Sequence, residues 1–302
     1  MSQEDEIVST TSLKLLALVL MLIDHIAEFL PGMPIYLRYI GRLSAPIFFF
    51  CMVWGLHYTH NRKIYLLRLY IGSITMCLLD IIVPSLFGRT EIIQNNIFST
   101  LFLAGTIISL LEYGQTKHIK TSKVLIGICS WQLITIIVLV VCEMFIDLPW
   151  IELILSTLLG SIALVEGRAV MLLAILILYF CKDSEKKLIL GYGSYCLGYI
   201  AIIVTDFFPR VFTRLDFYFS GEVFRTILDM ASIPVNILGI QTIFRADSWR
   251  SAFFIDYYQW MMIFALPLML LYNGKKGSGL KYFFYLFYPI HILILYCLGI
   301  YL

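Results

Sequence analysis

Apolar runs of helix length, separated by short polar or Gly/Pro breaks, follow one another along the whole chain. A helix needs about 20 mostly apolar residues to cross a bilayer. The runs predict spans over Thr11–Leu30, Arg38–Tyr58, Lys63–Phe87, Gln94–Tyr113 and Ser122–Phe145. Pro149 to Cys181 is too long for one span and short for two. It reads as a partial or re-entrant helix over Trp150–Val165, followed by a span over Glu166–Cys181. Later spans are expected at Leu188–Phe208, Glu222–Phe244, Ala252–Tyr272 and Tyr282–Leu302. The expected fold is an all-α, polytopic transmembrane helix bundle of about ten spans, forming a single integral membrane domain over residues 1–302. The connection Pro209–Gly221 is rich in aromatic residues and reads as interfacial. No internal repeat is evident.

Composition agrees. The 302 residues are 60% hydrophobic and 14% charged, against about 25% charged in soluble domains. Short alternating segments are absent, which argues against a membrane β-barrel. The net charge of +2 comes with no basic tract, so nucleic acid is not an expected partner. All 7 cysteines lie in apolar runs and none forms a CxxC, so buried thiols are expected rather than disulfides or structural zinc. The basic loops His60–Lys63, Gly114–Lys123 and Lys182–Lys187, with Arg245 and Arg250, favour a cytoplasmic N-terminus. Counting spans then puts the basic loop Asn273–Lys281 on the opposite face, against that rule.

The polar residues inside the apolar runs carry the candidate chemistry. Asp24 and His25 end the run LKLLALVLMLIDH. Ionisable groups are costly inside a bilayer, so such a pair marks a functional site. Glu28 lies three residues after His25 and four after Asp24, on the same helix face. A histidine oriented by Asp24 or Glu28 suits general-base work, and the alternative is a cluster that only joins helices. Arg38 and Arg42 share a face at i, i+4, with Arg62 and Arg68 further along. Arginine suits bidentate phosphate or carboxylate contacts, and Asp80 is an alternative partner for Arg42. His291 follows Pro289, whose missing N–H frees a helix carbonyl. His57 and His60 lack a third ligand, so no metal site is expected. The loop NGKKGSG, with Lys275, Lys276 and Lys281, offers backbone amides and cations to an anion, or serves as a connector.

Three blocks of this sequence together resemble the TraX family. They are LKLLALVLMLIDHIAEFLP, RYIGRLSAPIFFFCMVWGLHYTHNRKIYLLRL and LLYNGKKGSGLKYFFYLFYPIHILIL, covering roughly the first 70 and last 45 residues. The last block contributes Asn273, Tyr288 and His291. Trp54 stands where an acidic residue is expected in the family, so another group would have to do that carboxylate's work. The family includes the acetylase of conjugative F-type pilin. It is similar to integral-membrane acyltransferases that use acyl-CoA and a histidine near the end of the first span, where His25 stands here. The resemblance implies a multi-pass protein of the bacterial inner membrane, in contact with lipids, that moves acetyl or a related acyl group from acyl-CoA. The acceptor would be an amine or hydroxyl, first of all the N-terminal amine of a peptide or pilin-like protein, with a glycan as a further class. Arg38, Arg42, Arg62, Arg68, Lys275, Lys276 and Lys281 are then candidates for the coenzyme A phosphates, and no metal is required. The rival readings are a proton-coupled transporter and a non-catalytic part of a conjugation or secretion apparatus.

Overall fold

A computed structural model describes residues 8–146, 148–219, 221–240 and 252–302. Thirteen α-helices are described in that chain: α1 Thr10–Phe29, α2 Tyr36–Gly41, α3 Ser44–Tyr58, α4 Arg62–Leu86, α5 Ile97–Thr116, α6 Thr121–Phe145, α7 Pro149–Leu159, α8 Arg168–Cys181, α9 Glu185–Val204, α10 Phe207–Tyr218, α11 Glu222–Ile237, α12 Ala265–Leu270 and α13 Lys281–Tyr301. The protein is a polytopic helical bundle. Six described stretches are long and apolar enough to cross a membrane: Tyr36–Tyr58, Arg62–Leu86, Ile97–Thr116, Thr121–Phe145, Glu185–Tyr218 and Tyr282–Tyr301. Shorter apolar helices lie at Pro149–Leu159, Arg168–Cys181 and Tyr258–Leu270. Helix α1, with 20 residues, is about 30 Å long, the depth of a bilayer's hydrocarbon core.

The chain forms two compact units, Met1–Trp54 with Ile177–Leu302, and Gly55–Leu176. In the first, α1 packs against α2 and α13. Ser9 caps α1 by accepting a hydrogen bond from the Ser12 amide. Thr10 and Thr11 give their amides to the carbonyls of Lys275 and Lys276, at 2.9 and 3.2 Å. The Thr11 hydroxyl adds a bond of 2.8 Å to the Ser278 carbonyl. The first amides of a helix have no partner within it, and here the loop before α13 supplies acceptors for two of them. Lys14 extends over the Phe284 ring, 5.7 Å from its centroid. At the other end Gly299 lies against the Phe29 carbonyl, and a Cβ added there would come within 2.1 Å of that oxygen. Helices α1 and α13 therefore run parallel and start at the same end.

That placement corrects the orientation drawn from span counting. The basic loop Asn273–Lys281 sits beside the start of α1, so an even number of crossings separates the two. The span expected over Ala252–Tyr272 is also not one α-helix. A π-turn over Ala252–Asp256 and a 3-10 segment over Tyr258–Phe264 precede the short α12. Pro267 has no N–H to give the carbonyl four residues earlier, so the α-helical ladder is interrupted there. The expected interfacial connection Pro209–Gly221 is largely helical, within α10, with exposed Phe217 and Tyr218. The expected span Glu222–Phe244 is described as α11 to Ile237, and Arg245 and Arg250 lie outside the described residues.

In the second unit α4 packs on α5 and α7, and α6 packs on α5 and α7. Asn61 caps α4 and Asn96 caps α5, each through its side-chain oxygen. The partial helix expected over Trp150–Val165 is α7, stopped at Gly160 with a left-handed φ of 64°. All seven cysteines are free, yet only Cys51, Cys77 and Cys196 are buried. Cys129 is on the outer surface of α6, where an apolar helix meets lipid rather than protein.

The shared end of α1 and the loop before α13 is directly testable. In sealed vesicles, a Lys275→Cys variant is expected to react with an impermeant maleimide from the same side on which an N-terminal tag is protease-accessible. Labelling from opposite sides would reject the parallel arrangement.

Candidate active site

The last two turns of α1 and the short helix α2 build one polar cluster. The turn Leu30–Pro34 brings the chain back so that α2 crosses α1 beside Asp24. Gly41 makes this crossing possible: a Cβ added there would lie 2.2 Å from the Asp24 Cβ. Asp24 Oδ2 pairs with Arg42 and lies 3.4 Å from Arg38. Arg38 also reaches Glu28 Oε2 at 2.6 Å and gives a hydrogen bond to the Asp24 carbonyl at 3.3 Å. The interrupted segment after Ala252 covers the arginines. Arg38 Nε donates to the Tyr258 hydroxyl at 3.2 Å, and Arg42 donates to Gln259 Oε1 at 3.2 Å while lying over the Tyr258 ring. The Tyr39 hydroxyl donates to the Phe254 carbonyl.

His25 is 5% exposed and points to the other side, towards α13. Its Nδ1 lies 2.7 Å from Nε2 of His291, which is equally buried. The two rings are parallel within 2°, with centroids 4.9 Å apart. Nδ1 of His291 lies 2.8 Å from the Phe287 carbonyl. Phe29 and Tyr288 present edges to His25, and Tyr288 is buried as well. Pro289 lacks the N–H that would meet the Tyr285 carbonyl, but the imidazole bonds the carbonyl of Phe287.

The structure thus gathers Asp24, His25, Glu28, Arg38, Arg42, His291 and Tyr288 around the end of α1. It assigns their contacts differently from the spacing. His25 is hydrogen-bonded to His291, while Asp24 and Glu28 hold arginines. Arg38 and Arg42 are paired within the protein, so their charge is already balanced by two carboxylates. Among the described residues, the potential metal ligands that come together are Asp24, His25 and Glu28, with ligand atoms within 4.8 Å of one another. Guanidinium groups beside both carboxylates make this a poor place for a cation.

The remaining candidates lie elsewhere. Lys275 and Lys276 are exposed beside the start of α1, about 22 Å along that helix from His25 at 1.5 Å per residue. The Asn273 side chain accepts the Lys275 amide at 2.9 Å, shaping the loop. The Lys281 side chain lies outside what the structure describes. Trp54 packs on Phe50 and Tyr272, and the Thr10 hydroxyl donates to Tyr272. Trp54 therefore belongs to the surroundings of the start of α1. In the second unit Arg62 pairs with Glu112, and Arg68 is half-buried. Asp80 is 1% exposed, and neither carboxylate oxygen has a hydrogen-bond partner among the described residues. Arg42, expected as an alternative partner of Asp80, is paired with Asp24.

The sequence model of the TraX family, described as TraX protein, matches residues 9–165 and 168–299. The chain belongs to the TraX family. The match passes through every residue of the cluster and breaks only at Glu166-Gly167. No curated protein matches the chain, and no solved structure does. For this TraX-family chain, Tyr258, Gln259 and Gly41 are site residues that spacing did not single out. The glycine between two arginines in RYIGR was the one available signal. Tyr258 and Gln259 lie more than two hundred positions away and gave none.

The closeness of Gly41 to Asp24 sets a measurable cost. Gly41→Ala is expected to push α2 off α1 and destabilise the detergent-solubilised protein by about 1–3 kcal/mol, the usual range for overpacking. The measurement is the melting temperature. An unchanged value would mean that α2 does not cross at this distance.

Proposed function

We propose that this TraX-family chain is a membrane acyltransferase that moves an acetyl or related acyl group from acyl-CoA to an amine or hydroxyl acceptor, with His25 as the general base. The first choice of acceptor is the N-terminal amine of a peptide or pilin-like protein. The observation that carries the reading is a histidine buried near the end of α1, bonded through Nδ1, with no described group bonded to Nε2. A base must be able to reach the proton it removes, and Nε2 is the ring nitrogen available for it.

The transfer balances with groups of this chain. His25 Nε2 takes a proton from the attacking nitrogen or oxygen. That atom bonds the thioester carbonyl carbon, the C–S bond breaks, and the proton passes from His25 to the departing thiolate. Arg38 and Arg42 hold Asp24 and Glu28 beside the ring and keep the cluster close to neutral. The phosphates of coenzyme A need cations that are not already paired. Among the described residues of the expected set, Lys275, Lys276 and Arg68 are in no ion pair; the two lysines are exposed, and their separation from His25 along α1 is on the scale of an extended pantetheine arm.

Purified protein, labelled acetyl-CoA and an N-terminally free peptide provide the test. His25→Ala is expected to lower transfer about 100-fold or more, the span of general-base contributions, with the fold retained. Undiminished transfer would remove His25 from the role. Absence of coenzyme A binding by the wild-type protein would reject the acyltransferase reading, and solute uptake into liposomes without acyl-CoA would support the transporter instead. Lys275→Ala together with Lys276→Ala is expected to raise KM for acyl-CoA several-fold with little change in kcat. An unchanged KM would free the lysines from that role.

A further inference from the structure

A carbonyl oxygen accepts hydrogen bonds and never donates them. The Phe287 carbonyl, 2.8 Å from His291 Nδ1, therefore requires the proton of neutral His291 to be on Nδ1. That leaves a lone pair on His291 Nε2. The partner at 2.7 Å is His25 Nδ1, which must then be the N–H. The remaining nitrogen of His25, Nε2, has the lone pair. The rings are parallel, and their 4.9 Å centroid separation with the nitrogens only 2.7 Å apart sets them end to end, so that the in-plane N–H of one meets the in-plane lone pair of the other.

We propose that His291 is a positioning residue that locks His25 in the Nδ1–H tautomer through the chain Phe287 carbonyl, His291, His25, and so aims the His25 Nε2 lone pair at the acceptor's proton. This rests on the reading of His25 as the base. In hydrolytic triads a carboxylate does the same work for its histidine. Here the two nearby carboxylates are engaged by arginines, and a second imidazole anchored to backbone takes that place. A neutral anchor suits the setting, because it fixes the tautomer without adding a charge to a buried pair of rings. Burial at 5% exposure for both rings excludes the water that would otherwise exchange the tautomers. Asp24 and Glu28, with Arg38 and Arg42, flank His25 from α1 and α2. From α13 the ring meets Tyr288 and His291, both uncharged in this arrangement.

The test reads the tautomer directly. Nitrogen-15 spectra of histidine-labelled, full-length protein in nanodiscs, with His25→Gln used to assign the signal, report which ring nitrogen bears the proton. His25 is expected in the Nδ1–H form at rest, without acyl-CoA. In His291→Leu it is expected to become a mixture with the Nε2–H form, and kcat to fall about 100-fold or more with KM little changed. His291→Gln offers a carbonyl oxygen to the same N–H and is expected to recover at least about tenfold of that loss. A resting Nε2–H form, or a His25 tautomer unchanged in His291→Leu, would overturn the lock. If the tautomers behave as expected but His25→Ala still transfers acyl groups, the lock stands and the assignment of His25 as base fails.

Discussion

A buried carboxylate needs compensating charge, and Asp24 has two guanidinium groups beside it, Arg38 from α2 and Arg42 from its end. The cost of taking charges out of water is offset by close partners, and both guanidinium groups approach Oδ2 of Asp24. That requirement fixes α2 across α1. It demands Gly41 at the crossing, and it draws Tyr258 and Gln259 in from the interrupted segment before α12. Removing one partner of a buried pair typically costs about 3–5 kcal/mol, so the elements around Asp24 have little freedom to rearrange. His25, one residue further along, lies beside this cluster and meets α13 through His291. The ion-pair cluster joins α1 to α2, and the imidazole pair joins α1 to α13.

Much of this was legible in the apolar pattern. Runs such as Thr11–Leu30 and Ser122–Phe145 became α1 and α6 within a residue or two, because length and hydropathy alone decide such helices. The 252–272 stretch was not legible. Its composition suits a span, but Pro267 and the demands of Arg38 and Arg42 on Tyr258 and Gln259 impose another backbone. Apolar composition also does not separate buried from lipid-facing positions, and Cys129 shows the difference: an apolar residue in a span serves equally well against protein or lipid.

At the site, the cost of ionisable residues in a membrane marked Asp24 and His25, and the spacing added Glu28, Arg38 and Arg42. The partners could not be read from spacing. Positions 25 and 28 lie on one helix face, but so do 24 and 28, and an arginine outcompetes an imidazole for a carboxylate. The bond from His25 to His291 joins residues 266 positions apart, beyond any local periodicity. Trp54 also takes on a different meaning once placed. It packs on Phe50 and Tyr272, and Tyr272 accepts the Thr10 hydroxyl's hydrogen bond at the start of α1.

The way α13 is joined to α1 has a consequence for how the protein is made. The start of α1 is tied to the loop that leads into α13, and His25 of α1 is held by His291 of α13. Both contacts join one of the first helices inserted to the last one described. Until that last helix enters the membrane, α1 lacks the loop carbonyls at its start and His25 lacks its neighbour. Before then the chain has the carboxylates and arginines of α1 and α2 but neither of these ties to α13.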